Sequence, residues 1–345
     1  MADGRRLPDE SRAAERTILA YVPPRLRAPL ERLLPERPGA AGWLEVRLRL
    51  GLPVGVVTTA GDRWAGAEGA APGPAAALTC EADDLERAVQ LVTRASVYAW
   101  EEELARGFCT LPGGHRAGLA GRALCRGGRV TGQKAFSAVN LRVARQVPGA
   151  ADGVLAALAA WAGPLPGVLL FGPPGCGKTT VLRDLCRQLS AGRPELGLAP
   201  RRVGLVDERS ELAACADGRP QFDLGPRTDV LDGWPKPEGL RALVRAMGPE
   251  VAACDEIGGR EDAAALAEAG RCGVSLLATA HAGDLGDLLR RPGLRAVLAA
   301  GVFALAARLG PDRRLAEVVP LGTPGAGGRP LPAPARGARA LCRPA

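Results

Sequence analysis

An α/β fold in two parts is predicted by three features of this 345-residue chain. A short apolar run opens into a glycine-rich loop and then a helix at Val168–Leu182. A later apolar run, Val251–Glu256, ends in two carboxylates. Over residues 1–150, strands of period two alternate with short helices. Residues 151–321 are therefore expected to form a parallel sheet wound on both sides by helices, with ligand at the carboxyl ends of its strands. Residues 1–150 are expected to form an α+β accessory domain. Residues 322–345, rich in Pro, Gly, Ala and Arg, read as a disordered tail.

In the first part, residues 11–34 carry apolar positions at helical spacing, and Pro23-Pro24 divides them into two short helices. Trp43–Val57 switches to period two, with Leu44, Val46, Leu48 and Leu50 on one face and Glu45, Arg47 and Arg49 on the other. A turn at Gly51-Leu52-Pro53 leads to a second strand. Ala65–Ala77 reads as a loop. Thr79 is placed to cap a helix running towards Ala95, with Glu81, Asp83 and Asp84 in its first turn, where the macrodipole favours acids. Ser96–Arg106 reads as a further helix ended by Gly107. Glycine-punctuated hairpins follow, and then a strand over Ala138–Val147.

In the second part the predicted order is strand Val168–Phe171, helix from Lys178, strand Arg202–Val206, helix Glu238–Met247 and strand Val251–Cys254. Helix Glu261–Ala269, strand Val274–Ala278 and helices between Asp284 and Ala299 complete it.

The chemistry gathers at strand ends. Gly172–Thr180, GPPGCGKTT, fills every fixed position of G-x-x-x-x-G-K-[ST] in a strand–loop–helix setting. Gly172, Gly175 and Gly177 let the loop curl with its N–H groups inward, and Pro173, Pro174, Cys176 and Thr180 complete the residues expected to line a nucleotide. Lys178 reaches the β- and γ-phosphates and Thr179 offers a hydroxyl to Mg²⁺, so ATP and Mg²⁺ are the expected ligands. Asp255 is expected to hold Mg²⁺ and Glu256 to orient and deprotonate the attacking water. Asp207–Glu211, DERSE, ends another strand at the same crevice, so Glu208 or Asp207 joins the water or metal shell; the alternative is a loop salt-bridged through Arg209. Thr279 and His281 end a third strand, where His281 is expected to sense the γ-phosphate. One of Arg142 and Arg145, ahead of the core, is expected to complete a neighbouring subunit's site, with Arg227 the next candidate.

Composition narrows the class. The formal charge is +8, yet only Lys134, Lys178 and Lys236 of the 45 cationic residues are lysine, a skew that points to codon bias as much as to a binding surface. With acids scattered among the arginines and two tyrosines in the whole chain, no nucleic-acid partner is expected. Nine cysteines without a C-x-x-C pair read as free thiols in a reducing cytosol, and His115 near Cys109 and Cys125 fits no zinc spacing. The first residues lead into no signal-peptide core, and Val297–Leu309 is broken by Gly301 and Arg308 before it reaches the ~18–20 residues of a span. The chain is expected to be intracellular, with any membrane association peripheral.

These residues also carry a resemblance. DERSELAACADGRPQFDLGPRTDVLDGWPKPEGL, DEIGGRED, GPPGCGKTT and YAWEEELARGFCTLPGGHRAGLAGRA resemble the stage III sporulation protein AA family of endospore-forming bacteria, over roughly residues 80–310. That family is similar to the secretion and pilus ATPases of type II and type IV systems, which carry an acidic box before the Walker B segment and a histidine box after it. Asp207–Glu211 resembles the first and Thr279–His281 the second, with Asp255 where secretion ATPases often carry glycine. The resemblance implies a RecA-like P-loop NTPase core and an ATPase acting as a homo-oligomer, a hexameric ring. It also implies a cytoplasmic place peripheral to the mother-cell membrane, bound to membrane proteins of the channel between mother cell and forespore. The alternatives are a nucleic-acid-dependent P-loop ATPase and a module that uses ATP only to close a ring.

Overall fold

A computed structural model describes residues 10–35, 42–94 and 107–321. The chain divides into two compact units, the first reaching Arg145 and the second starting at Gln146.

In the first unit, helices α1 (Glu10–Ile18) and α2 (Pro24–Glu31) precede a seven-stranded antiparallel sheet. Its strands are β1 (Trp43–Arg49), β2 (Gly55–Thr58), β3 (Gly61–Gly66), β4 (Gly69–Ala71), β5 (Phe108–Thr110), β6 (Arg116–Arg126) and β7 (Arg129–Arg142), in the order β4-β3-β2-β1-β7-β6-β5. Helix α3 (Ala82–Val92) buries Leu85, Ala88, Val89 and Val92 at i, i+3, i+4 and i+7, in the same core as Trp43, Val46 and Leu48 of β1. A register shift between Trp43 and Glu45 rotates Trp43 onto the buried face with Val46 and Leu48.

Four expectations need correction here. Ala65–Ala77 is not one loop: β3 and β4 form a hairpin in it, because pairing with β2 supplies what its small residues do not. Thr79 lies in a bridge to Pro53, and the helix cap is Glu81, whose N–H donates to Asp84 at 2.9 Å while Arg25 Nε holds the same carboxylate at 3.0 Å. The strand expected at Ala138–Val147 begins much earlier and stops at Arg142. Leu50, assigned to the buried face, follows the end of β1 and is exposed. The helix expected at Ser96–Arg106 and the tail at 322–345 lie outside the described residues.

In the second unit, helix α4 (Asp152–Ala159) leads to β8 (Val168–Gly172), α5 (Lys178–Ala191), β9 (Val203–Asp207) and β10 (Thr228–Asp232). Then come α6 (Lys236–Met247), β11 (Val251–Cys254), α7 (Arg260–Arg271), β12 (Ser275–His281), α8 (Leu285–Arg290), α9 (Pro292–Ala299), β13 (Leu305–Leu309) and β14 (Leu315–Pro320). The sheet runs β10-β9-β11-β12-β8-β13-β14, parallel except for the β13–β14 pair. Sequence reading leaves out α4, β13 and β14, whose apolar residues lack a clear period, and β10, an edge strand that carries Asp229 and Asp232.

The β8 run is apolar throughout because both of its faces are covered. Val168 and Leu170 join one core with Val181, Leu182 and Leu185 of α5, whereas Leu169 and Phe171 join another with Leu240 and Leu243 of α6. The core therefore lies on both sides of the sheet, and the strand ends are left for chemistry.

Candidate active site

The loop after β8 turns through Gly175 at φ +73° and Gly177 at φ +91° before α5 begins at Lys178. A Cβ at either glycine would meet no atom within 4 Å, so conformation and not space requires glycine there. Such a turn aims consecutive N–H groups towards an anion at the positive end of α5.

Lys178 is 5% exposed, and its Nζ donates to the carbonyls of Gly172 at 3.1 Å and Pro173 at 2.9 Å. It also lies 3.0 Å from Nδ1 of His281. An ammonium has only protons to give, so Nδ1 accepts, the ring proton sits on Nε2, and Nε2 donates to Glu256 Oε1 at 2.9 Å. Arg209 Nη1 holds the other Glu256 oxygen at 2.6 Å. One hydrogen-bonded line thus joins Lys178, His281, Glu256 and Arg209.

Strand order explains the meeting. β12 lies between β8 and β11, with His281 opposite Gly172 and Ala278 opposite Cys254. Thr279 and His281 are two apart, so they share a face between the glycine-rich loop and the carboxylates. Thr279 is fully buried and its hydroxyl donates to Asp255 Oδ1 while accepting the Glu256 N–H at 2.8 Å. That bond holds Glu256 at φ +51°, a left-handed angle that non-glycine residues adopt at a cost of about 1–3 kcal/mol. Thr179 Oγ1 donates to Asp255 Oδ2 at 2.7 Å.

The two neighbouring carboxylates are pushed in opposite directions. Burial raises the Asp255 carboxyl above its ordinary value, against the hydrogen bonds from Thr279 and Thr179. Burial also acts upward on Glu256, but the His281 hydrogen bond and the charges of Arg209 and Lys178 outweigh it and hold that carboxyl below its ordinary value. Glu256 is thus kept ionised.

Among the described residues no group of three or more His, Cys, Asp or Glu side chains could form a metal cage. The Thr179–Asp255 pair instead suits an ion shared with phosphate oxygens, which is how Mg²⁺ is usually held.

The acidic cluster is divided in its contacts. Asp207 is buried and accepts the N–H groups of Glu211 at 2.9 Å, Leu212 at 2.9 Å and Ala213 at 2.8 Å, with burial pushing its carboxyl to about 6. Arg183 donates to the carbonyls of Glu211 and Leu212, both at 2.7 Å, and stacks 4.0 Å from the Phe222 ring centroid. Asp207 and Arg183 clamp one loop, so Asp207 is committed to structure and not to a metal shell. Glu208 is ion-paired with Lys236 at the start of α6. Arg209, read from sequence only as a partner within its own cluster, reaches Glu256. No local pattern could have found that contact.

The three arginine candidates are also engaged. Arg145 lies beyond β7 and pairs at 2.7 Å with Glu15, which is fully buried. Arg142 pairs with Glu45 at 3.1 Å, and Arg227 donates to the carbonyl of Ser190 at 3.1 Å.

Known proteins share this arrangement of chain. The chain is 41% identical over 258 residues to the stage III sporulation protein AA of Bacillus subtilis (strain 168), covering 73% of this chain and 78% of the relative. Among solved structures, the ATPase DotB of Legionella pneumophila superposes with a TM-score of 0.53 at 14% identity, covering 89% of this chain and 78% of that one. DotB of Yersinia pseudotuberculosis gives 0.51 at 12% identity with the same coverage. At such identities the likeness speaks for the fold, an α/β P-loop NTPase-like sheet, and not for the chemistry. The family model described as sporulation stage III, protein AA matches residues 17–319, and the chain belongs to that family.

Proposed function

We propose that this chain binds and hydrolyses ATP with Mg²⁺ as a ring-forming motor or assembly ATPase of the stage III sporulation machinery, at the channel joining mother cell and forespore. The observation that carries it is the line from Lys178 through His281 to Glu256, because it couples the phosphate-binding lysine to a carboxylate kept ionised at a strand end. Lys178 and the loop Gly172–Thr180 hold the triphosphate, and Thr179 and Asp255 hold Mg²⁺, which neutralises charge on the phosphate oxygens. Glu256 takes the proton of the attacking water. His281 touches both groups, so a γ-phosphate that draws Lys178 Nζ away from Nδ1 also changes what Glu256 feels. Glu208, ion-paired with Lys236, is the reserve carboxylate.

Family membership and the likeness of fold to secretion ATPases support the wider reading: a homo-oligomeric, hexameric ring, cytoplasmic and peripheral to the mother-cell membrane, docked on membrane proteins of the channel. No helix among the described residues is long and apolar enough to cross a membrane.

The test is ATP turnover read beside light scattering after size exclusion, with and without a non-hydrolysable ATP analogue. Lys178→Ala is expected to lose nucleotide binding or turnover, and Glu256→Gln to keep binding while turnover falls by on the order of a hundredfold or more. Unchanged turnover in Lys178→Ala would overturn the ATPase reading. Wild-type turnover in Glu256→Gln would move the base to Glu208.

A further inference from the structure

We propose that the β6–β7 ribbon of the first unit is a docking surface for an anionic lipid bilayer. This rests on the reading of the chain as peripheral to a membrane, and adds which surface touches lipid and by what chemistry.

β6 pairs with β5 only as far as Gly118, and β7 pairs with β1 only from Ala138 onward. Between Ala120 and Phe136 the two strands pair, among the described residues, only with each other. They form a ribbon about 20 Å long at the usual rise per strand residue. Every residue from Ala120 to Thr131 is exposed. Gly127 and Gly128, both at positive φ, make its tip.

Its charge is one-sided. From Leu104 to Ala151 the chain contains no Asp or Glu. Across the ladder Arg122 faces Lys134 and Arg126 faces Arg129, and residues two apart share a face, so Arg122, Leu124 and Arg126 stand together with those partners. Like charges directly opposite one another destabilise a hairpin, and among the described residues no acidic side chain pairs with any of the four. The fold gains nothing from this pattern; an anionic partner would.

Exposed aliphatic side chains lie along the ribbon and at its root, with Val130 opposite Cys125 on the other face from Leu124. Leu124 is 39% and Val130 47% exposed on the ribbon, while Leu50 at 47% and Leu52 at 48% stand on the turn after β1. The Leu50 N–H donates to Ser137 O at the ribbon's root at 3.0 Å, which places that turn beside it. These four are among the seven large apolar residues exposed in the described chain. A polynucleotide would use the cations, leave the aliphatic groups in water and find no aromatic ring on the exposed ribbon to stack on. The headgroup region of an anionic bilayer accepts both, with cations at the phosphates and aliphatic groups at the acyl boundary.

The experiment is co-sedimentation of the full chain with phosphatidylglycerol-rich and with pure phosphatidylcholine vesicles over a salt series. Single- and double-stranded oligonucleotides serve as the competing probe. Each cation brought to an anionic leaflet contributes roughly fivefold in partition, so Arg122→Gln/Arg126→Gln/Arg129→Gln/Lys134→Gln is expected to bind phosphatidylglycerol vesicles by on the order of a hundredfold or more less than wild type. ATP turnover, oligomeric mass and circular dichroism should stay as they are. Leu124→Asn/Val130→Asn should lose a smaller part that salt does not restore. Wild-type binding by the fourfold variant would overturn the proposal, as would equal binding to neutral vesicles. So would oligonucleotide binding without vesicle binding, or a changed oligomeric mass in the variant, which would make the ribbon a contact between copies. Membrane fractionation of sporulating cells separates the two readings. If the fourfold variant stays in the membrane fraction, the lipid surface falls and the peripheral location stands; if the wild type is absent from that fraction, the location itself falls.

Discussion

Arg145→Ala is expected to unfold the first unit locally, and not to remove a catalytic charge. Glu15 is fully buried, and one of its oxygens takes both the Trp43 N–H at 2.7 Å and Arg145 Nη2 at 2.7 Å. Deleting the cation takes a charged partner from a buried carboxylate, which costs about 3–5 kcal/mol in comparable sites. The Arg145 side chain is 25% exposed, so water can approach the gap and the lower end, about 3 kcal/mol or roughly a hundredfold in an opening equilibrium, is the expected loss. A chain of two units has no single unfolding free energy, so the assay is hydrogen exchange read segment by segment by mass spectrometry. Peptides over Trp43–Arg49 should exchange about a hundredfold faster, at 1.36 kcal/mol per decade, and peptides over β8 and β11 should not change. Adding Glu15→Gln should recover most of the protection, since the buried charge that Arg145 faced is then gone. Full protection in Arg145→Ala together with lost ATP turnover, rescued by mixing with a Glu256→Gln chain, would refute this reasoning and return Arg145 to a role in a neighbour's site.

Arg209→Gln should let the Glu256 carboxyl rise towards its ordinary value, so the acidic limb of the pH–rate profile moves to higher pH; an unmoved limb would mean that Glu256 is not the base or that Arg209 does not act on it. Burial, with the nearby charge of Arg145, lowers the His115 imidazole from 6.5 to about 4, so the folded state prefers it neutral. Stability of the first unit is then full above pH 6.5 and falls by about 3 kcal/mol as pH drops towards 4. His115→Asn should flatten that fall in exchange measured across the range, and an equally steep fall in the variant would place the titration elsewhere. Thr279→Val removes a donor to buried Asp255 and the acceptor of the Glu256 N–H, so about 1–3 kcal/mol of stability should go together with Mg²⁺-dependent turnover, and Thr279→Ser should restore both. Thermal unfolding and a Mg²⁺ titration check it; a stable, active Val variant would remove Thr279 from the site.

What the sequence determined by itself was local chemistry. Gly175, Gly177, Lys178 and Thr179 are diagnostic because the φ angles, the charge and the hydroxyl of an anion loop must come from consecutive residues. Val251–Glu256 was legible for a similar reason, since a buried strand of a parallel sheet is apolar until the residue at which it emerges. The tertiary structure decided who meets whom. Placing β12 between β8 and β11 brings His281 to Lys178, 103 residues away, and to Glu256, and brings Arg209 across 47 residues to the same carboxylate. Strand order leaves no trace in period or spacing, because each strand alternates alike whichever neighbour it takes. The same holds for Arg145, which looked available in sequence and is held by Glu15 in the fold, and for Arg122 opposite Lys134, whose like-charged pairing exists only once the ribbon closes.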